Sequence, residues 1–251
     1  ALSSNVFSGF EKFGDRLKRV YTENTLFTAA GYESQFKCDA SGVGTVQLAV
    51  LGEFNLSNCL AVWVVLLAQG LSPSEASKRM NKLSAVPGRM ELIRLNKTQR
   101  TDGPLIVVDY AHTPDALTKA LNALRPIANQ RNGKVWCVFG CGGDRDSGKR
   151  PQMGRAAQEL ADHIVITSDN PRSEDPSSII AMIQAGMSGD LSNVQALPDR
   201  AAAIMAAVRH ADIKDIVLVA GKGHESTQEI SGKKFDFSDQ EHIRLAAGGG
   251  V

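Results

Sequence analysis

Apolar and polar positions alternate differently in the two parts of the chain. From position 105 onward, short β-branched runs recur between longer segments of helical period. Strands are predicted at Leu105–Asp109, Val135–Phe139, 163–167 and Ile216–Ala220, each a nearly unbroken apolar run of the kind buried on both faces of a sheet. Helices are predicted between them at 114–127, 151–160, 176–187 and Arg200–His210. Thr113-Pro114 and Asp175-Pro176 each place a capping side chain before a proline at the first helical position. A hairpin through Ser231-Gly232-Lys233 joins 228–230 to 234–237, and Ser238-Asp239-Gln240-Glu241 caps a last helix. Strands alternating with helices at this spacing predict an α/β, doubly wound, mostly parallel sheet.

The first hundred residues are less regular. Strands are predicted at Val20–Thr28 and 45–51. The stretch GEFNLSN (52–58) leads into an apolar helix at 59–69, stopped by Gly70. Ser72-Pro73-Ser74-Glu75 is a capping box that opens a second helix running to about residue 83. Pro87-Gly88 breaks the pattern, and 96–103 reads as a polar surface turn. A division between two domains is expected within 86–103 and is drawn at 87/88.

Composition narrows the function. The 251 residues are 43% hydrophobic and 22% charged with a net charge of +1, so no general attraction to nucleic acid or an anionic membrane is expected. Cys38, Cys59, Cys137 and Cys141 form no CxxC pair and no zinc spacing, which predicts reduced, mostly buried thiols and no metal site on this chain. The longest apolar run, 59–68, is too short to span a bilayer.

Candidate chemistry gathers where the predicted parallel strands end. Asp109-Tyr110-Ala111-His112, Gly142-Gly143-Asp144-Arg145-Asp146, Ser168-Asp169-Asn170-Pro171-Arg172 and Gly221-Lys222-Gly223-His224-Glu225 each follow a strand, and strand carboxyl ends share one rim. One such loop alone is a turn; four charged ones make a site. Arg145 and Arg172 supply forks for carboxylates, Asp169 and Glu225 acceptors for ammonium groups, which together fit an amino acid. Gly140-Cys141-Gly142-Gly143 is not a dinucleotide fingerprint, and Gly221-Lys222 is not a phosphate-binding P-loop. His163 and His210 read as structural, and Met153, Met182, Met187 and Met205 as core.

The stretches GEFNLSN, VPGRME, VDYAHTPDAL, VFGCGGDRDSGKRP, DNPRSEDP and LVAGKGHE, in this order over about residues 46–245, resemble the second half of a Mur ligase of the diaminopimelate-adding, MurE type. The resemblance implies the end of a central ATP-binding domain (1–87) followed by a Rossmann-like C-terminal domain (88–251). It implies an ATP-dependent acid–amino-acid ligase of the cytoplasm, acting as a monomer in peptidoglycan precursor synthesis. Such an enzyme adds meso-2,6-diaminopimelate to UDP-N-acetylmuramoyl-L-alanyl-D-glutamate through an acyl phosphate. By the same resemblance Asn55, Asn58, Arg89, Asp109 and His112 would meet ATP, with Arg89 also acting on the phosphate in catalysis. Arg145, Asp169, Asn170, Pro171, Arg172, Gly221 and Glu225 would hold diaminopimelate. The family's P-loop, its Mg²⁺ ligands and its UDP-sugar domain precede the part seen here, so the chain is expected to be a fragment that does not ligate alone. A lysine-adding Mur ligase, a folylpolyglutamate synthase and a non-catalytic binding module are the alternatives.

Overall fold

A computed structural model describes residues 6–7, 19–28, 31–93 and 103–248, and the chain divides into two units, Ala1–Ala85 and Val86–Val251. In the first, β1 (Val6–Phe7), β2 (Val20–Thr28), β3 (Gly31–Cys38) and β4 (Gly42–Leu48) pair antiparallel in chain order. β3 is absent from the sequence-based expectation, although its alternation is regular. Tyr32, Ser34, Phe36 and Cys38 are buried, and Glu33, Gln35 and Lys37 between them are only partly so. The inward serine hides the pattern, and its Oγ is satisfied 2.8 Å from Thr25 Oγ1.

Two helices, α1 (Glu53–Ala68) and α2 (Pro73–Met80), complete this unit. α1 starts six residues earlier than predicted, so GEFNLSN forms its opening turns rather than a lead-in. The Ser72–Glu75 capping box forms as read, with Ser72 N–H donating to Glu75 Oε2 at 3.0 Å. Phe36 meets Trp63 edge to face at 5.9 Å, and Trp63 Nε1 donates to Ser77 Oγ at 3.2 Å. That bond lets the largest apolar side chain here be fully buried without stranding its N–H.

The second unit holds β5 (Glu91–Ile93), β6 (Leu105–Asp109), α3 (Pro114–Arg131), β7 (Val135–Phe139), α4 (Lys149–Leu160), β8 (His163–Ile166), α5 (Pro176–Gln184), β9 (Val194–Ala196), α6 (Arg200–His210), β10 (Ile216–Ala220), β11 (Thr227–Ile230), β12 (Lys233–Asp236) and α7 (Asp239–Ala246). The main sheet runs β5-β6-β10-β7-β8-β9, with only β5 antiparallel. β5 and β9 were not predicted, because three residues are too few for periodicity to register. The turn predicted at 96–103 lies, Gly103 apart, outside the described residues.

Ile106, Val108, Val138, Val165, Val217 and Val219 point into one layer with Ile204, Val208 and Ile243 of α6 and α7. The alternate positions Val107, Cys137 and Leu218 are fully buried on the opposite face, where α3 lies against β7 and β10. All four cysteines are free and buried. Met153 and Met187 are core as expected, but Met182 and Met205 are 41% and 37% exposed. Met182 instead accepts a hydrogen bond from Arg150 Nη1 at 3.0 Å through its sulfur. The hairpin forms as predicted, with Ser231 and Gly232 both at positive φ (50° and 72°), the backbone a two-residue turn between twisted strands requires.

The chain winds outward through β6, β7, β8 and β9, then returns through α6 to insert β10 between β6 and β7. This reversal opens a crevice at the strand carboxyl ends, and two ion pairs, one buried and one half-buried, set its walls. Arg200, fully buried at the start of α6, donates from Nε to Asp239 Oδ1 at 2.7 Å and from Nη2 to Asp239 Oδ2 at 2.8 Å. The same guanidinium donates to Ser168 O (3.3 Å) beyond β8 and to Ala220 O (3.0 Å) at the end of β10. Arg150, also buried, holds Glu174 through Nη1 at 2.7 Å and Nη2 at 2.8 Å, and reaches Gly142 O at 3.2 Å. Glu174 Oε1 accepts the Asp144 N–H, and Ser173 Oγ donates to Asp144 Oδ1, both at 2.6 Å. The loops after β7 and β8 are thereby stitched together. Gly143 is packed so closely that a Cβ there would lie 1.9 Å from Pro171 O.

Arg200→Met leaves the Asp239 carboxylate buried without its partner and should lower stability by about 3–5 kcal/mol in urea unfolding. Adding Asp239→Leu should restore most of the loss, since two apolar groups replace the pair. If the double variant is no more stable than the single one, desolvation is not the term that matters there. Arg150 and the Asp144 N–H pull the Glu174 carboxyl from its ordinary 4.5 down to about 2. Its contribution is therefore complete above the unfolded value and is lost as pH falls toward the folded one. The Tm difference between the protein and its Glu174→Gln variant should be largest near about pH 6 and narrow at about pH 3. A gap that stays constant would count against a charge effect.

Candidate functional site

The carboxyl ends of β6, β7, β8 and β10 surround a cavity of ≈ 260 Å³. Tyr110 and His112 line it from the loop after β6, and Gly142, Arg145 and Lys149 from the loop after β7. Asp169, Asn170 and Arg172 follow β8, and Gly221 and Glu225 follow β10. All four loops singled out in the sequence thus meet at one cavity.

One wall is cationic. Arg145 is exposed, and its Nη1 reaches only the neighbouring Asp144 O at 3.3 Å, which leaves most of its fork free. Lys149 Nζ donates to His112 O at 3.0 Å. Arg172 holds a left-handed backbone, φ 52°, a conformation non-glycine residues keep only where their surroundings enforce it. Enforcement comes from β11: the Arg172 N–H donates to Glu229 O at 3.0 Å, and its carbonyl accepts from Ser231 N at 2.6 Å. The side chain donates from Nη1 to Gly143 O at 2.7 Å, with Nε 3.7 Å from Glu229 Oε2.

The other wall is anionic and buried. Asp169 is 7% exposed, and its carboxylate accepts no hydrogen bond from any described residue; its only ionic partner is Lys222 Nζ at 4.0 Å. Burial pushes the Asp169 carboxyl above the ordinary range, against the pull of Arg200 and Lys222. Gly221 stands beside it at φ 119°, where a Cβ would lie 2.8 Å from Asp169 Oδ2, so only glycine leaves this carboxylate room. Glu225 Oε2 accepts from Asn170 Nδ2 at 2.9 Å and Lys222 Nζ at 3.0 Å. Burial disfavours its charge, but those two donors outweigh it and hold the carboxyl below the usual range. Asn170 Oδ1 in turn accepts from Glu229 N at 3.0 Å and Lys222 Nζ at 3.2 Å. The Asn170 side chain is therefore engaged within the protein, and Pro171 is buried beneath Gly143.

Lys222 falls in the fourth rim loop of the sequence but was given no role at the site. The signal was present nonetheless. A lysine between two glycines, directly after an all-apolar strand, has no easy path to water and must be neutralised from within. Lys149 and Tyr110 were likewise not assigned to the site.

At the edge beyond β6, the Arg89 guanidinium lies over the Tyr110 ring at 4.6 Å. Asp109 Oδ2 accepts the Met90 N–H at 2.8 Å. Burial raises the Asp109 carboxyl, opposed by the backbone N–H groups of Met90, Ala111 and Tyr110 and by the Arg89 charge. His112 is exposed, with Nδ1 2.8 Å from Tyr110 O. Arg89 and Asp109 do not line the cavity. Asn55 and Asn58 lie in the first unit on α1. Asn55 Nδ2 donates to Leu51 O at 2.9 Å, and Asn58 is exposed on the same side as Phe54 and Val65. Among the described residues no three His, Cys, Asp or Glu side chains cluster to hold a metal. No described helix is long and apolar enough to cross a membrane.

The family described as Mur ligase, glutamate ligase domain, matches residues 88–223. The UDP-N-acetylmuramoyl-L-alanyl-D-glutamate–2,6-diaminopimelate ligase of Ralstonia nicotianae is 58% identical over 212 residues, 84% of this chain and 40% of that protein. A solved structure of a ligase of the same name is similar at 39% identity and TM-score 0.68, over 91% of this chain and 45% of that one. A folylpolyglutamate synthase from Thermotoga maritima shares the fold alone, at 19% identity and TM-score 0.60, over 80% of this chain and 43% of that one. The chain spans less than half the length of these proteins. With a family match over more than half of its residues, the chain belongs to the Mur ligase family.

Proposed function

We propose that the second unit is the amino-acid-binding part of an ATP-dependent ligase that adds meso-2,6-diaminopimelate to UDP-N-acetylmuramoyl-L-alanyl-D-glutamate. One observation carries this reading. Two carboxylates, Asp169 without a hydrogen-bond donor and Glu225 with Oε2 already engaged, face the same cavity as Arg145 and Arg172. A buried carboxylate that accepts no hydrogen bond is costly until a donor cation arrives, and a fork beside it prefers a carboxylate. A ligand with paired ammonium and carboxylate groups satisfies both walls, and diaminopimelate has two such pairs where lysine has one. Relatives of that name at up to 58% identity support the assignment.

In the complete reaction the D-glutamate γ-carboxylate of the dipeptide is activated by ATP as an acyl phosphate. The diaminopimelate amine attacks it, and phosphate leaves. This chain's residues hold the nucleophile. Arg145 and Arg172 anchor carboxylates, and Asp169 and Glu225 orient amines. Arg89, stacked on Tyr110 with its guanidinium exposed, is the cation placed to meet phosphate charge, near the edge where Asp109 and His112 would face the nucleotide. Asn55 and Asn58 are assigned to the nucleotide from resemblance alone. The residues described do not fit Mg²⁺. Four unpaired, buried thiols suit the reducing cytoplasm.

Calorimetric titration with meso-diaminopimelate, with L-lysine as control, tests the reading. The first should bind and the second bind much more weakly. Arg172→Ala should weaken diaminopimelate by roughly 1.5–3 kcal/mol, the worth of a hydrogen bond to a charged group, and leave L-lysine unchanged. Equal loss for both ligands would move specificity away from Arg172.

A further inference from the structure

We infer that Lys222 is a positioning residue of the amino-acid site, an internal counter-charge that fixes Glu225 with one oxygen engaged and the other turned to the ligand. This rests on the proposed amino-acid reading of the cavity. The Lys222 side chain is fully buried and does not line the cavity, so it does not act on ligand directly. Its three neighbours are all site residues: Glu225 Oε2 at 3.0 Å, Asn170 Oδ1 at 3.2 Å and Asp169 Oδ1 at 4.0 Å. A buried ammonium has three donors and no acceptors, and here they point toward groups from two different loops. Glu225 Oε1 has no partner among the described residues.

The charges around Glu225 make the role specific. Asp169 and Arg172 approach from the loop after β8 and Arg200 from α6, with Asp239 of α7 beyond. Arg200 is already saturated by Asp239, and Arg172 is directed to Gly143 and Glu229. Lys222 is thus the cation that lets two carboxylates share one wall, since like charges at close range otherwise drive one of them neutral. With both ionised, the wall offers an ammonium two anionic acceptors; with either protonated, that group loses its charge and holds the ammonium less strongly. The lowered carboxyl of Glu225, to which Lys222 contributes, agrees with this.

The test substitutes Lys222→Met, close in length and uncharged, and measures two quantities on the full chain. Carbon-detected NMR follows titration of the Glu225 carboxyl, and calorimetry measures meso-diaminopimelate binding from about pH 4 to about pH 8. The Glu225 midpoint should rise in the variant. Its dissociation constant should exceed that of the wild-type chain by a factor that approaches about tenfold as pH falls through the carboxylate range, the equivalent of one unit of carboxyl shift, and the gap should close by about pH 7. A Glu225 midpoint that does not move, or an affinity loss equal at every pH, overturns the proposal and makes Lys222 merely structural. Lys222→Gln, neutral but still a donor to Glu225, replaces the Met variant if that one does not fold. If the wild-type chain itself binds no diaminopimelate, the ligand assignment fails, while the carboxyl titration still decides for or against Lys222.

Discussion

A guanidinium without access to water is the constraint from which the second unit's architecture follows. Arg200 is buried where α6, α7 and the ends of β8 and β10 converge. Taking an arginine out of water is costly, and the cost is offset only when every donor direction finds a well-placed acceptor. Asp239 supplies two acceptors and the carbonyls of Ser168 and Ala220 the others. Because those carbonyls belong to the residues just before Asp169 and Gly221, the backbone leading into the anionic wall has little freedom. The charge pair therefore acts less as a source of stability than as a fixture that determines where two loops begin.

Around that fixture the site divides by solvation. Its anions are buried or half-buried and held by internal partners, whereas Arg145 reaches into solvent with little to restrain it. On the proposed reading, a ligand would meet the exposed Arg145 fork at the surface and the preorganised anions deeper in the cavity. Arg172 is intermediate, a fork on a backbone strained into place by β11. The Asp144, Ser173 and Glu174 contacts keep the two loops that carry these forks at a constant separation.

Much of this was legible in the residues, for identifiable reasons. The parallel strands are long apolar runs with proline-and-cap signals before their helices, so β6, β7, β8 and β10 were found close to their true bounds, and the loops following them were recognised as one rim. What escaped notice did so through brevity or exception. β5 and β9 are too short to show a period, and β3 carries a serine at an inward position. The exposure of Met182 depends on Arg150 lying 32 residues away in sequence, which no local window contains. Lys222 was missed because lysine after a glycine reads as solvent-facing until three separate acceptors are seen to enclose it. Long-range neutralisation is the property least visible in a linear pattern.

The order of the strands carries a consequence for how the unit comes together. β6 and β7 are near neighbours in the chain, yet each pairs with β10 rather than with the other. Until residues 216–220 have been made and have entered between them, both present unpaired apolar edges, which are the features most prone to intermolecular pairing. Non-local closure of this kind slows folding. A nascent chain leaving the ribosome must therefore keep an open slot in its central sheet through the 76 residues between Phe139 and Ile216, and the same strand that fills the slot leads into Gly221, Lys222 and Glu225. The sheet is completed and its chemistry assembled in a single event.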